Sequence, residues 1–374
     1  MLALYMSVSV MLALGYLWLI LHLLGYWHTK PQGPKHRTRP IQAQFSIIIP
    51  ARNEAEHIQS CLQAWLDNKH LEDYVLEIIV IDDHSTDNTT SIVKEIDHPI
   101  IRLIDLSHFG TKGSKKLAVD TGVNAAKGNY IIQTDADCTV TPGYIKSLAS
   151  LIQQYDIDLL AGSVKFEHSK NLFEHFQSLD MCGMMALTKA GIESNRWYLA
   201  NGANLVYKKS LACDLDKSFA SGDDVSRINQ FAIIENCALH FSNDPNLTVS
   251  TSPEKTMQTF IPQRLRWGTK NKHTTNPVIL GIMGLVFFQS LWFYIHIMAC
   301  AVFGPIALLA LGLHFFIKMT MDYLLLEAST KQYGLADSLK YFLPAWVIQQ
   351  LYISLLGIAS LLMDKYRWKG RIVQ

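Results

Sequence analysis

Residues 1–27 contain no Asp, Glu, Lys or Arg, and no other feature limits the fold so severely. A bilayer is crossed by a helix of about 20 apolar residues. A cleaved signal peptide is the competing reading. It fits poorly, because no basic residues precede the run and the run is too long. Residues 1–27 therefore read as a retained transmembrane anchor. Residues 28–44 follow as a basic linker, with Lys30, Lys35, Arg37 and Arg39 among prolines at 31, 34 and 40. Positive charge beside a span stays inside. That places the next domain in the cytoplasm, with the chain a multi-pass protein of the cell membrane, in a bacterium the inner one.

The chain turns apolar again after residue 276. Val278 to Ile317 carries no charged residue and has room for two helices, with Gly304-Pro305 the place to turn. Residues 342–363 are a third candidate. A basic tail, Asp364-Lys-Tyr-Arg-Trp-Lys-Gly-Arg371, completes a 276–374 membrane region of two to three spans. Three spans put that tail outside, whereas its charge asks for the inside. One of the three is then re-entrant or interfacial.

Between the apolar ends, residues 45–275 read as one α/β domain. Phe45-Ser-Ile-Ile-Ile-Pro50 and Leu76-Glu-Ile-Ile-Val-Ile81 are runs suited to strands buried on both faces. Each is followed by a polar loop and then helical spacing, as at Ile58, Cys61, Leu62, Trp65 and Leu66. Asp87 is the expected N-cap of the second helix. Ile101 to Ile104, a helix from Lys115 to Ala126, and the strand at Tyr130 continue the alternation, which implies a doubly wound, mostly parallel, Rossmann-like sheet. Ligands bind such sheets at the carboxyl ends of the strands. Asn53/Glu54, Asp82/Asp83 and Asp135/Asp137 all fall there. The six cysteines show no paired metal-type spacing and read as reduced, core-filling thiols. A net charge of +1 gives no footprint for nucleic acid.

Asp135 and Asp137, two residues apart on an extended segment, share a side. Like charges that close need a cation, and a divalent ion with phosphate ligands supplies one. A dinucleotide fold is disfavoured, because no G-x-G-x-x-G follows the first strand.

Five motifs stand in order: Ile49-Pro-Ala-Arg-Asn-Glu54, Asp82-Asp83-His-Ser-Thr-Asp87, Lys115 leading through Gly128 to Thr134-Asp-Ala-Asp137, Ser221-Gly-Asp-Asp224, and Gln263-Arg-Leu-Arg-Trp267. Together they resemble the family 2 glycosyltransferases, inverting enzymes of the GT-A fold, over residues 45–270. The last motif is similar to the Q-x-x-R-W signature of the membrane-bound branch. The resemblance implies that Ala51, Glu54 and Asp83 line the base and ribose of a UDP- or GDP-sugar, and that Lys115 approaches the diphosphate or the base pocket. Asp135 and Asp137 face the diphosphate and its Mg2+ or Mn2+, with Asp137 the direct ligand. Asp224 is the general base; Gln263, Arg266 and Trp267 close over the donor and the acceptor end. The usual Glu-Asp of the base motif is Asp223-Asp224 here.

Asn201-Gly-Ala-Asn204 either resembles the segment of that family that faces donor sugar and acceptor or is an ordinary turn. The apolar stripe of residues 172–186 reads either as core or as a helix on the membrane surface, with the second preferred. Few ionisable residues, His22, His296 and His314, fall within the spans. That favours a lipid acceptor, as in ceramide glucosyltransferases and bacterial glycolipid synthases. The alternative is a processive synthase of the cellulose or hyaluronan type, which must line a polar tunnel.

Overall fold

The structure, a computed structural model, describes residues 1–29, 43–109, 113–215, 222–270, 276–362, 366–368 and 371–373. Most of the basic linker, Ser221 and much of the tail lie outside the described residues. In chain order the elements begin with α1 (Leu2–Trp27), β1 (Phe45–Ala51), α2 (Ile58–Leu66), α3 (Leu71–Tyr74), β2 (Val75–Asp82), α4 (Thr89–Glu95) and β3 (Ile101–Asp105). They continue through α5 (Lys115–Ala125), β4 (Tyr130–Gln133), α6 (Tyr144–Tyr155), β5 (Leu159–Gly162), β6 (Val164–Phe166), α7 (Leu172–Glu193) and β7 (Leu205–Lys208). Then come α8 (Asp223–Ala232), β8 (Leu239–Ser242), β9 (Val249–Thr251), α9 (Met257–Lys270), α10 (Pro277–Phe303), α11 (Pro305–Tyr333) and α12 (Phe342–Leu362). Short strands β10 (Tyr366–Trp368) and β11 (Arg371–Val373) follow.

Two compact units emerge. A helical unit holds Met1–Thr29, His168–Ala190 and Pro253–Tyr366; a sheet unit holds Lys30–Glu167, Gly191–Ser252 and Arg367–Gln374. Segments 168–190 and 253–270 thus group with the terminal helices.

The sheet unit is built on a seven-stranded sheet in the order β3-β2-β1-β4-β7-β5-β8. β3, β2, β1 and β4 are parallel, as the strand–loop–helix alternation implies. β7 runs antiparallel to both β4 and β5, so the sheet is mixed beyond β4. The Ile-rich runs occupy its centre: Ile47, Ile48 and Ile49 of β1 and Ile78 to Ile81 of β2 have no exposure. α5 lies directly on this layer. A Cβ at Gly122 would come within 2.7 Å of both Ile48 and Ile81, so only glycine permits the approach. At Gly128 it would meet the backbone of residues 44–46 at 2.6 to 2.8 Å, which seats the start of β4 against β1. α4 begins one residue later than expected, with Asn88 as N-cap. Asp87 precedes it and still serves the helix start, accepting from the Thr89 N–H at 3.1 Å and from Ala55 N–H at 3.1 Å.

Among the described residues of the helical unit, four helices are long and apolar enough to cross a membrane: α1, α10, α11, and the segment Ala336–Ala359. α10 stops at Gly304 (φ 57°) and Pro305 starts α11, as the Gly-Pro step predicts. α11, however, runs on to Tyr333, so Lys318 and Asp322 lie inside it. They are buried and paired at 2.7 Å, with the Tyr16 hydroxyl and the Trp346 indole N–H on the same carboxylate. The expectation of spans almost free of ionisable groups is corrected accordingly; the pair is tolerated because every charge is met inside the bundle. The α7 stripe also departs from expectation. Phe176, Leu179, Met181, Cys182, Met185 and Ala186 are buried, and of the residues named only Met184 is exposed. Phe176 and Leu179 pack with Phe260 and Ala345, so neighbouring helices cover this face.

Candidate active site

The carboxyl ends of β1, β2 and β4 carry the polar loops of the sheet unit. The first two are zipped together. Asp83 N–H donates to Ala51 O at 2.8 Å, and Arg52 donates to the carbonyls of Asp83 and His84 at 2.6 and 3.0 Å. Asn53 adopts a left-handed φ of 52°, where its N–H meets Ser85 Oγ at 3.0 Å and its side-chain Oδ1 accepts from Thr86 N–H at 2.8 Å. Asn is among the residues that accept this conformation readily. Glu54 N–H reaches Thr89 Oγ1 at 2.8 Å. Ala51, Glu54 and Asp83 are therefore brought into one loop pair, with Ala51 and Asp83 buried.

A second cluster forms around Lys115, the first residue of α5. Its ammonium lies 2.6 Å from Asp135 and 4.0 Å from Asp223. Burial alone would lower the lysine pKa, but Asp135, Asp223 and Asp224 outweigh it and raise it above its ordinary value. Gln133, at the end of β4, donates to Asp223 at 2.6 Å. Asp224 accepts the Gly202 N–H at 3.2 Å and the Val225 N–H at 2.9 Å. Gly202 sits in the middle: a Cβ there would lie 3.0 Å from Gln133, 3.1 Å from Asp223 and 3.4 Å from Lys115. Asn204 holds the loop from beneath, donating to the carbonyls of Ser163 and Leu247 and accepting from the Tyr144 hydroxyl at 2.7 Å. Asn201–Asn204 is thus part of the cluster.

Asp137 differs from its neighbours. It is exposed, and the Cys138 thiol approaches its carboxylate at 3.4 Å. Asp135, a third exposed, already engages Lys115. Among the described residues no group of three or more His, Cys, Asp or Glu converges as a metal cage. Two hard carboxylates, one of them open, fit a divalent ion that keeps waters and takes phosphate oxygens for its remaining positions. Below the loop, Cys61 and Cys138 are buried, and burial followed by the nearby Asp137 and Asp135 charges pushes both thiols up, so they are inert packing groups. Cys213 is exposed, so not every thiol fills core.

Sequence reading named the segment holding Gly202 but missed Gln133 and the buried pair that seats α8. Arg227 has no exposure; it pairs with Asp120 at 3.2 Å, donates to Cys213 O and to Gln230 at 3.0 Å, and stacks on Tyr207 at 5.1 Å. Gln133 did give a signal, a polar side chain closing an apolar strand.

Gln263, Arg266 and Trp267 belong to the helical unit, on α9. Gln263 donates to Glu254 at 2.8 Å, and Trp267 lies under the Arg264 guanidinium at 4.2 Å. Arg264, outside the signature positions, is the more buried arginine and pairs with Asp180 at 2.9 Å.

Residues 46–212 match the profile of Glycosyl transferase family 2. This stretch is similar to family 2 glycosyltransferase domains. It contains the loop pair, Lys115, Asp135, Asp137 and Gly202, and all strands but β8 of the mostly parallel α/β sheet of the GT-A fold. The glycosyltransferase AglE of Haloferax volcanii is 31% identical over 123 residues, 33% of this chain and 40% of its own. The probable glycosyltransferase YdaM of Bacillus subtilis is 23% identical over 350 residues, 83% of this chain and 81% of its own. The chain spans 18 to 45% of the length of four curated relatives it matches, AglE among them. The solved mannosyltransferase PcManGT of Pyrobaculum calidifontis, in complex with GDP-Man and Mn2+, shares the transferase fold with a TM-score of 0.56 at 15% identity, over 96% of this chain and 97% of that one.

Proposed function

We propose that the protein is a membrane-bound inverting glycosyltransferase that moves one sugar from a nucleoside-diphosphate sugar to a hydroxyl of a lipid acceptor. The observation that carries the reading is the Lys115 cluster. One cation sits among Asp135, Asp223 and Asp224, with the backbone of Gly202 packed closely against Lys115 and Asp223. In this reading Ala51, Glu54 and Asp83 hold the base and ribose, and Lys115 offers positive charge to the diphosphate. Asp137, with Asp135, would hold Mg2+ or Mn2+, which when bound stabilises charge on the departing phosphates. The acceptor oxygen attacks the anomeric carbon from the face opposite the diphosphate. Its proton passes to a carboxylate oxygen of Asp224 as the sugar–phosphate C–O bond breaks, and one displacement inverts the centre. Such a base contributes about 10²–10⁴-fold. Asp223, held by Gln133, orients Lys115. Gln263, Arg266 and Trp267 are proposed, on the resemblance alone, to serve donor and acceptor.

A lipid acceptor is favoured over a growing polymer because the ionic pair in the helical unit is closed. Lys318 and Asp322 bond each other, Tyr16 and Trp346, and so offer no lining to a polar chain. The test is to incubate membranes with labelled nucleotide-sugar and extract with organic solvent. Label in one lipid species is expected; label in a ladder of water-soluble polymer would overturn the reading in favour of a synthase.

A further inference from the structure

The geometry points to α12 as a helix that does not cross the membrane. It lies in the plane of the leaflet in which α1 ends, with Leu343, Val347, Leu351, Leu355 and Ile358 turned to acyl chains. By length and composition alone α12 qualifies as a span. Its packing says otherwise.

α1 and α11 run side by side in the same direction and define an axis. Tyr5 clusters with Ala307 and Ala310, Tyr16 meets Asp322, and Trp27 meets Tyr333 at 5.7 Å. α10 runs the opposite way, with Trp292 beside Tyr5 at 6.3 Å and Leu285 beside Gly15. Against this axis α12 starts where Phe342 packs on Tyr323 at 5.2 Å, next to Asp322 and so level with Tyr16. Farther along, a Cβ on Gly357 would sit 2.4 Å from Phe287, two residues past Leu285 and so close to the same level. From Phe342 to Gly357 the helix axis covers about 22 Å, while its level along α1 changes by only about 5 Å. A crossing helix would climb by nearly its whole length.

The surroundings agree. Tyr352, midway along α12, packs on Phe176 of α7 at 5.4 Å and Phe260 of α9 at 5.6 Å. Those two helices carry charges that no acyl chain faces cheaply, including the Asp180–Arg264 pair. Trp346 reaches to the other side, to Phe315 at 5.0 Å and to the Asp322 carboxylate at 2.8 Å. α12 is therefore held between α7 and α9 on one side and α10 and α11 on the other. Its exposed residues recur every three or four positions along one remaining face. A lipid leaflet is the occupant that fits, because the exposed faces of α1, α10 and α11 are equally apolar. The charge pattern fits as well. With α1, α10 and α11 crossing, α12 ends on the side of the membrane where α1 ends, so the basic charges that follow each in sequence obey the positive-inside rule together. A fourth crossing would violate it.

The test uses the full chain in liposomes, with single spin labels at positions 343, 347, 351, 355 and 358 after replacement of the native cysteines, and depth read by power saturation. Depths agreeing within about 5 Å are expected; a climb of about 22 Å from 343 to 358 would overturn the proposal. In the native-cysteine chain, a C-terminal epitope tag should resist protease in intact spheroplasts and be cut in inverted vesicles. Cutting in intact spheroplasts would overturn it independently.

Discussion

Arg227→Met tests whether the buried pair behind α8 sets the carboxylates of its first turn. Arg227 has no exposure and Asp120 is 4% exposed. Removing the cation takes the ion-pair partner from a buried Asp120 carboxylate that also accepts the Leu215 N–H at 3.0 Å. Breaking one side of such a pair costs about 3–5 kcal/mol. For a domain of 150–250 residues that lowers Tm by roughly 6–20 °C. Asp120→Asn keeps an acceptor for Leu215 and leaves Arg227 with Cys213 O and Gln230, so it should cost less. The double variant has no stranded charge and should be more stable than the sum of the singles predicts, by about 1–3 kcal/mol. Thermal unfolding of the detergent-purified chain measures all of this. Turnover should fall in Arg227→Met with little change in donor KM, because Asp223 and Asp224 shift while the base and ribose loops do not. Additive single effects, or an Arg227→Met chain as stable and active as the wild type, would refute the reasoning.

Asp137→Asn should lower transfer by about 10²–10³-fold and leave Tm unchanged, since the carboxylate is exposed; full activity after exhaustive chelation would remove the metal from the scheme. Gly202→Ala places a methyl 3.0 to 3.4 Å from Gln133, Asp223 and Lys115. A shift of a few tenths of an ångström should cost turnover about tenfold, with unchanged kinetics the opposing result. For Lys115 the folded pKa is raised above 10.5. Its contribution is thus fully present below the unfolded value and is lost as pH rises through the folded one. The difference in unfolding free energy between wild type and Lys115→Met should stay level from pH 7 to about 10 and shrink only above that; a difference that changes steeply near neutral pH would contradict this.

β1, β2 and β4 and their loops were legible because each is an apolar run that gives way abruptly to polar residues with carboxylates among them. β7 was not. Nothing local in Leu205-Val-Tyr-Lys208 tells an antiparallel neighbour from a parallel one, since both need the same buried faces. Arg227 was hidden for a related reason. In Asp223-Asp-Val-Ser-Arg227 an arginine four positions on reads as part of a solvated helix face, and only tertiary contact with Asp120 and Tyr207 reverses that. For α7 and α12 periodicity revealed an apolar face but not what covers it. Helices cover that of α7; lipid is proposed for α12.

Charge at the helix starts carries the argument one step further. A cation in the first turn of a helix opposes its dipole by about 0.3–1 kcal/mol, yet α5 opens with Lys115-Lys116 and has no acidic residue there. α8 opens with Asp223 and Asp224, which its own dipole favours. The acidic half of the cluster is therefore supported by its own helix, whereas Lys115 is unfavourable until Asp135, Asp223 and Asp224 surround it. A basic helix start facing an acidic one is hard to explain by helix stability alone. In this chain the unfavourable half is also the half that the proposed reaction needs, a fixed positive charge where a diphosphate departs.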